Sequence, residues 1–213
     1  ALISANDVHE ILQACELAEE YGIEIVILGG LEAWTVADRL GRAGISVILR
    51  PRQSREPDES LLRDNGSTIQ NAAILHEHGV PVAVTPAGSL FGSGSGISLG
   101  GLAGRDNQHL PMAAAFTVRG GLSNAAAIRT ITLDAARILG IDDRVGSIDV
   151  GKDADFAITD GDLLHYMTHV RWTIVNGRIV YDKSEDTLFS HIRPADDSAT
   201  AEPDDYWPRR LGD

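Results

Sequence analysis

The sequence has one cysteine, no long apolar run and a shortage of positive charge, and each of these excludes a class of protein. Cys15 is the only cysteine, so no internal disulfide can form, which favours a reducing compartment such as the cytoplasm. No apolar run is long enough to span a bilayer. Lys and Arg number 18 against 31 Asp and Glu, giving a net charge of −13. That charge argues against nucleic acid and membrane surfaces as partners, because both are polyanionic.

The chain is long enough to bury a core but short for a closed eight-stranded barrel. It has 213 residues, of which 43% are hydrophobic. A closed (β/α)₈ barrel typically takes about 250 residues. The sequence begins in a strand-like run, Ala1-Leu2-Ile3, with no initiator methionine and no signal-peptide pattern. This beginning predicts a processed product, a split gene or a fragment of a longer chain.

Short apolar strands alternate with amphipathic helices in the first part of the chain. The strand-like runs are residues 2–3, 23–28, 46–49 and 81–85. Asp7 and Glu10 form a capping box at the start of the first helix, and Gly22 ends it. Repeated βα units build parallel sheets with right-handed crossovers. Four strands are visible where a barrel needs eight, so residues 1–145 are predicted to form half of a TIM-like barrel, closed by helices that include one over residues 123–139.

The periodicity changes after residue 145. Residues 156–159, 170–175 and 178–181 are strand-like, and Asn176-Gly177 is a two-residue hairpin signal between the last two. The predicted organisation is therefore α/β, with a half-barrel over 1–145 and a small β-sandwich portion over 146–183. The rest, 184–213, is an acidic tail containing Pro and Ser, which predicts loose order.

Three sequence blocks resemble a known family. They are TLDAARILG at 132–140, GSIDVGKDAD at 146–155 and TIVNGRIVY at 173–181. In this order and spacing they are similar to the last barrel helix, the exit into the β-sandwich and the closing hairpin of the amidohydrolase superfamily, in its imidazolonepropionase-like branch. The resemblance covers roughly residues 1–183. It implies the C-terminal half of a TIM-like (β/α)₈ barrel followed by part of a composite β-sandwich.

The resemblance also implies a hydrolase of non-peptide C–N bonds that uses a metal-activated water. A divalent ion lowers the pKa of bound water and polarises the scissile carbonyl. The family's ligands lie at the carboxyl ends of barrel strands, with His on the fifth and sixth and Asp on the eighth. The equivalent positions here are Ser4, Gly29 and Ala87, or Pro86 if the last alignment shifts by one. No metal, catalytic residue or other cofactor is therefore expected.

The leading interpretation is a degenerate, metal-free amidohydrolase, a pseudoenzyme that acts as a binding or scaffold subunit. Its open strand edge at Leu2-Ile3 is expected to be covered by the N-terminal half of the barrel, as a separate or missing chain, or by a second copy. The alternative is an active enzyme in which that half supplies an H-x-H pair and zinc is bound with fewer ligands from this chain. A third interpretation is a proteolytic or cloning fragment with no function of its own.

Three arginines follow the strand at 46–49, on the face expected to hold the site. Arg50, Arg52 and Arg55 are able to bind the carboxylate or phosphate of a small-molecule substrate. The simpler interpretation is pairing with acidic residues of the same loop, which are Glu56, Asp58 and Glu59. The sequence leaves both interpretations open.

Other motifs have structural explanations. His76-Glu77-His78 matches an H-x-H pattern, but it ends a helix on the opposite face, and helical residues two apart do not converge on one ion. The Gly/Ser-rich segment 88–101 is interpreted as a flexible connection rather than an anion nest or lid. The remaining candidates are Asp106 as a helix N-cap, His109, His165 and His169 as surface residues, Trp34 and Trp172 as core or interface anchors, and Cys15 as a buried, inert thiol.

Overall fold

A computed structural model describes residues 1–86 and 110–185 of the chain. These residues form a four-stranded sheet and a separate three-stranded sheet with helices between and around them. The class is α/β, as the alternation of strands and helices predicts. Among these residues, no helix combines the length and the apolar character needed to cross a membrane.

The helices and strands follow one another in the order that the sequence predicts. The strands are β1 (Leu2–Ala5), β2 (Val26–Gly29), β3 (Ser46–Leu49), β4 (Val82–Val84), β5 (Phe156–Thr159), β6 (Val170–Val175) and β7 (Arg178–Asp182). The α-helices are α1 (Val8–Tyr21), α2 (Ala37–Ala43), α3 (Asn71–Glu77), α4 (Leu110–Arg119), α5 (Asn124–Thr130) and α6 (Leu133–Ile138). Two 3₁₀ helices span Ala33–Val36 and Lys183–Glu185.

The first sheet is parallel throughout, and its strands lie in the order in which they occur in the chain. Its register pairs Ala5 with Gly29, Gly29 with Leu49, and Leu49 with Val84, so the carboxyl ends of all four strands form one row. The core lies between this sheet and the helices, and includes the fully buried Ile27, Val47, Leu40 and Leu75. The loops that follow the strands therefore meet at a single edge of the sheet.

Helix α1 begins and ends where the sequence predicts. The Asp7 side chain accepts a hydrogen bond from the Glu10 backbone at 2.9 Å, and Glu10 reaches back to complete the capping box. Gly22 ends the helix at φ +61, a left-handed conformation that glycine adopts without a steric penalty. The buried face carries Val8, Ile11, Ala14 and Cys15.

The helix predicted over 123–139 is divided into two. Helix α5 ends at Thr130 and α6 begins at Leu133, with Thr132 in a non-helical conformation between them. Thr130, Ile131 and Thr132 are consecutive β-branched residues, which lose side-chain freedom in a helix. The hydroxyls of Thr130 and Thr132 also bond back to the Ala127 and Ile128 carbonyls. These local effects explain the break.

The second sheet is antiparallel, in the order β5-β6-β7. Asn176 and Gly177 have φ of 50° and 74°, as a two-residue hairpin turn requires. The register places Phe156 opposite Ile174 and Ile158 opposite Trp172, so these four side chains share one face. Only Ile174 is buried, while the other three are between 37% and 41% exposed. This apolar face has little cover among the described residues.

Burial of Cys15 predicts slow thiol chemistry. The side chain is fully buried, and burial raises the pKa of the thiol, so the reactive thiolate is scarce at neutral pH. We expect a thiol reagent such as Ellman's reagent to react with the native protein only as fast as the chain opens, and immediately in denaturant. A Cys15→Ser, Ser4→Cys variant is the control: its exposed thiol should react at once in the native state. Rapid labelling of native wild type would contradict the burial.

Acidification should remove the contribution of the α1 cap. The Glu10 backbone N–H holds the pKa of Asp7 below its usual value of 3.8, and the charge of Arg55 adds to the effect. Because the folded-state pKa is the lower one, the stabilisation is fully present above about pH 4 and is lost as the pH falls through the folded-state pKa. Asp7→Ala should cost about 1 kcal/mol at pH 7, and the difference from wild type should shrink in acid. Urea unfolding of wild type and Asp7→Ala across this pH range measures the difference.

Candidate functional site

Ser4 and Gly29, which the resemblance aligns with metal-ligand positions, lie at the carboxyl edge of the first sheet. Ser4 is exposed near the end of β1, and Gly29 is buried at the end of β2, the neighbouring strand. Pro86 is buried two residues after β4, whereas Ala87 lies outside the described residues. Zinc in proteins is bound by Cys, His, Asp and Glu side chains. Neither Ser4 nor Gly29 belongs to that set.

The space that a side chain at Gly29 would need is already occupied. A Cβ built on Gly29 would collide with the Asn6 side-chain oxygen and lie 3.3 Å from the Ala5 carbonyl. The residue also has φ +110, a conformation that side-chain-bearing residues rarely adopt. The local backbone therefore suits glycine, and a side chain at this position would adopt a strained φ and require the Asn6 side chain to move.

Glu32 is the charged residue that organises this edge. Its side chain is 3% exposed and accepts hydrogen bonds from the backbone N–H groups of Val8, at 3.0 Å, and Gly66, at 2.9 Å. The Arg55 guanidinium lies 3.6 Å from the same carboxylate. Glu32 thus ties the start of α1, the turn after β2 and the long loop after β3 together.

The three candidate arginines have three different environments. Arg55 contacts Asp7 and Glu32, both at 3.6 Å, instead of the acidic residues of its own loop. Arg52 lies over the Phe116 ring, 5.7 Å from its centre. Arg50 has a buried Nε with no hydrogen-bond partner among the described residues. Of the three, Arg50 is the one with a buried donor left to offer to a ligand.

Sequence reasoning missed two polar residues at this edge. Asn71 is 8% exposed, and its side-chain amide donates to the carbonyls of Gly30, at 2.8 Å, and Leu31, at 3.2 Å. Asn6 lies against Gly29. The signal available in the sequence was weak: Asn6 directly follows a strand, and Asn71 is an amide at the start of an otherwise apolar helix. Only the fold brings them together.

The other sequence candidates lie away from this edge. His76 and His78 are exposed at the end of α3, where the chain returns to the amino end of β4. His165 stacks on Tyr166, and the His169 ring is 3.8 Å from Asp160. The segment 88–101, Asp106 and His109 lie outside the described residues. Within the described ranges, no group of three or more His, Cys, Asp and Glu side chains is arranged to hold a metal.

The two tryptophans differ in burial. Trp34 is half-buried and donates through Nε1 to the Gly66 carbonyl at 2.9 Å, which fixes the loop after β3. Trp172 is 38% exposed on the apolar face of the second sheet. Trp34 therefore anchors the site edge, whereas Trp172 remains partly exposed on the second sheet.

A larger cavity lies at the opposite edge of the first sheet. It has a volume of about 350 Å³ and is lined in part by His76, Val82 and Leu122. Two arginines on its wall, Arg129 and Arg137, are both paired with Asp134, at 2.7 and 3.5 Å. Arg137 also lies 3.8 Å from Asp142, so both arginines are paired with carboxylates of the chain.

The comparisons with known proteins identify the family. The Amidohydrolase family profile matches residues 22–186, so the chain belongs to the amidohydrolase family. An amidohydrolase from Thermotoga maritima has a similar structure, with 26% sequence identity and a TM-score of 0.70, over 86% of this chain and 43% of that one. A second solved amidohydrolase, 20% identical with a TM-score of 0.58, supports the fold alone.

Curated relatives match over a shorter stretch. N-acetylglucosamine-6-phosphate deacetylase of Bos taurus is 37% identical over 65 residues, which is 30% of this chain and 15% of the relative. Imidazolonepropionase of Phocaeicola vulgatus is 41% identical over 66 residues, 28% of this chain and 16% of the relative. The matches thus span a small part of each curated protein and less than half of the Thermotoga chain. They support the family without selecting the imidazolonepropionase-like branch.

Proposed function

We propose that the chain is the second half of an amidohydrolase barrel, in the imidazolonepropionase-like branch, with part of the β-sandwich, and that it works as a metal-free binding or scaffold subunit. Family membership suggests descent from hydrolases of C–N bonds. The four-stranded parallel sheet and the 43% coverage of the Thermotoga chain support the half-barrel. Function depends on the site rather than on the fold, and the site here departs from the family.

The observation that carries this proposal is the environment of the two strand ends, Gly29 above all. Two neighbouring strand ends carry a hydroxyl and a glycine where the family carries imidazoles, and the Asn6 side chain fills the space beside Gly29. These groups do not fit zinc, which prefers thiolate, imidazole and carboxylate ligands. No hydrolytic step through a metal is therefore assigned to this chain, and the expected cofactor is none.

The proposed partner is the other half of the barrel, as a separate chain or as part of a longer one, or a second copy of this chain. Strands β1 and β4 each pair on one side only within the described residues. Leu2 on β1 is 51% exposed, and the apolar face around Trp172 is also uncovered. Open strand edges and apolar faces of this kind are sites of association in soluble proteins.

Native mass spectrometry of the protein purified from its own host tests the partner. The proposal predicts a complex that contains either a second polypeptide or two copies of this sequence. The Ala1 and Ala5 carbonyls bond to Val26 and Gly30, so the backbone N–H of Leu2 lies on the unpaired side of β1. A β1 edge variant, Leu2→Pro, should therefore weaken the complex because it removes a donor from that free edge, while Ile69→Pro in an exposed loop should not. A monomeric chain of this sequence with no partner would contradict the proposed assembly.

A second candidate follows from family membership, which makes an active metal-dependent hydrolase the natural expectation. In that case the other half supplies most of the zinc ligands and a small-molecule substrate is cleaved at a C–N bond. Zinc should then bind with one-to-one stoichiometry only when both halves are present, and a chelator should abolish turnover. Full turnover in metal-free protein would exclude this candidate.

A further inference from the structure

Three buried side-chain atoms have no hydrogen-bond partner among the described residues, and all three lie around the carboxyl end of β2. They are Asn6 Oδ1, Arg50 Nε and Asn71 Oδ1. Asn6 lies against Gly29, Arg50 follows the register partner of Gly29, and Asn71 is bonded to the Gly30 carbonyl. Because nearly all buried polar atoms in folded proteins are paired, this concentration indicates a partner that binds here.

Two of these atoms belong to residues that line one cleft. Arg50 and Asn71 line it together with Gly29, Gln53 and Thr68, and the enclosed part measures about 20 Å³. That volume admits a polar group of a few atoms, so only the polar end of a ligand enters and the remainder extends toward solvent. The cleft is thus shaped to recognise a functional group rather than to enclose a whole molecule.

At their unpartnered atoms, one of the two residues can only accept a hydrogen bond and the other can only donate one. The Asn71 amide nitrogen already donates to the Gly30 and Leu31 carbonyls, which leaves Oδ1 as a pure acceptor. Arg50 can only donate. The neighbouring Arg55 is paired with Asp7 and Glu32 and does not add a second uncompensated cation. A matching group must therefore offer an acceptor to Arg50 and an N–H or O–H donor to Asn71.

We propose that this cleft binds small molecules through a primary carboxamide. The ligand carbonyl accepts a hydrogen bond from Arg50 Nε, and the ligand N–H donates to Asn71 Oδ1. A carboxylate of the same shape satisfies Arg50 but directs an anionic oxygen at the Asn71 acceptor, so the site discriminates against it. The inference rests on the proposed function, because it supplies the ligand class for a binding subunit whose strand ends carry no metal.

Titration of the full chain with acetamide and with acetate, followed by ¹⁵N NMR, tests the proposal. Acetamide should shift the Arg50 Nε–H and Asn71 side-chain signals in the millimolar range, with a dissociation constant about tenfold lower than that of acetate. Arg50→Lys should abolish the difference, whereas Arg63→Lys, an exposed arginine in the same loop, should keep it. Equal or tighter binding of acetate, or no shift of either signal, would mean that the cleft holds only a water and would overturn the inference.

Two further comparisons allow the titration to be interpreted if a variant fails to fold or if zinc binds. If Arg50→Lys fails to fold, the wild-type preference for acetamide over acetate still decides the question. Adding zinc to the same sample distinguishes a failure of the proposed function from a failure of the carboxamide site alone. Stoichiometric zinc binding that perturbs Ser4 and Gly29 would contradict the proposed function, whereas loss of acetamide selectivity without zinc binding would contradict only the carboxamide site.

Discussion

Glu32→Ala is expected to lower the free energy of unfolding by about 2–4 kcal/mol, because a buried N–H group left without an acceptor costs about 1–3 kcal/mol. The substitution leaves the backbone N–H groups of Val8 and Gly66 without acceptors in a buried setting, and it removes the counter-charge of Arg55. Urea unfolding followed by circular dichroism measures the change.

Two companion variants test whether the loss of stability comes from the Glu32 carboxylate itself. Glu32→Gln keeps one acceptor oxygen but turns an NH₂ group toward a backbone N–H, so it should fall between wild type and Glu32→Ala. Glu20→Ala, on the exposed side of α1, should stay within about 0.5 kcal/mol of wild type. A loss below about 1 kcal/mol for Glu32→Ala would show that this carboxylate does not hold the site edge together.

Gly29→Ala is expected to cost about 2–3 kcal/mol. The left-handed φ of +110 strains any side chain, and the new methyl group would also displace the Asn6 side chain. Gly22→Ala is the matched control, since Gly22 has φ +61 with open space around it and should cost about 1 kcal/mol. The difference between the two free-energy costs measures the effect of the crowded surroundings of Gly29.

The same geometry predicts that the family's ligands cannot be restored by substitution at the strand ends alone. A Ser4→His, Gly29→His variant should be unstable and should not bind zinc in calorimetry, because the second imidazole would require a strained φ and would displace Asn6. Gly29→Ala with unchanged stability, or a tight one-to-one zinc site in the double variant, would show that the position is open after all.

Local signals in the sequence predicted much of the fold. The capping box at Asp7, the terminating Gly22, the Ser46–Leu49 strand and the Asn176-Gly177 turn all occur as expected, because each depends on residues close together in the chain. The helix over 123–139 was wrong, since three consecutive β-branched residues outweigh its overall helical pattern.

The candidate site was less accessible from the sequence. Ser4 and Gly29 could be placed by resemblance, but the filling of the Gly29 space by Asn6 depends on how two strand ends approach each other. The pairing of Arg55 with Asp7 and Glu32 joins residues far apart in the chain, so the acidic residues nearest in sequence were the wrong guide. Asn71 is a candidate only through the fold, which leaves its Oδ1 unpartnered and places the residue with Arg50 in the lining of one cleft.

Metal content is the most direct test of the central claim that the strand ends of this chain hold no catalytic metal. Elemental analysis of natively purified protein, with intact mass of every co-purifying chain, should find zinc, iron and manganese well below one equivalent per chain. One equivalent of any of these metals, lost on Ser4→Ala substitution, would contradict the account and establish the metal-dependent hydrolase in its place.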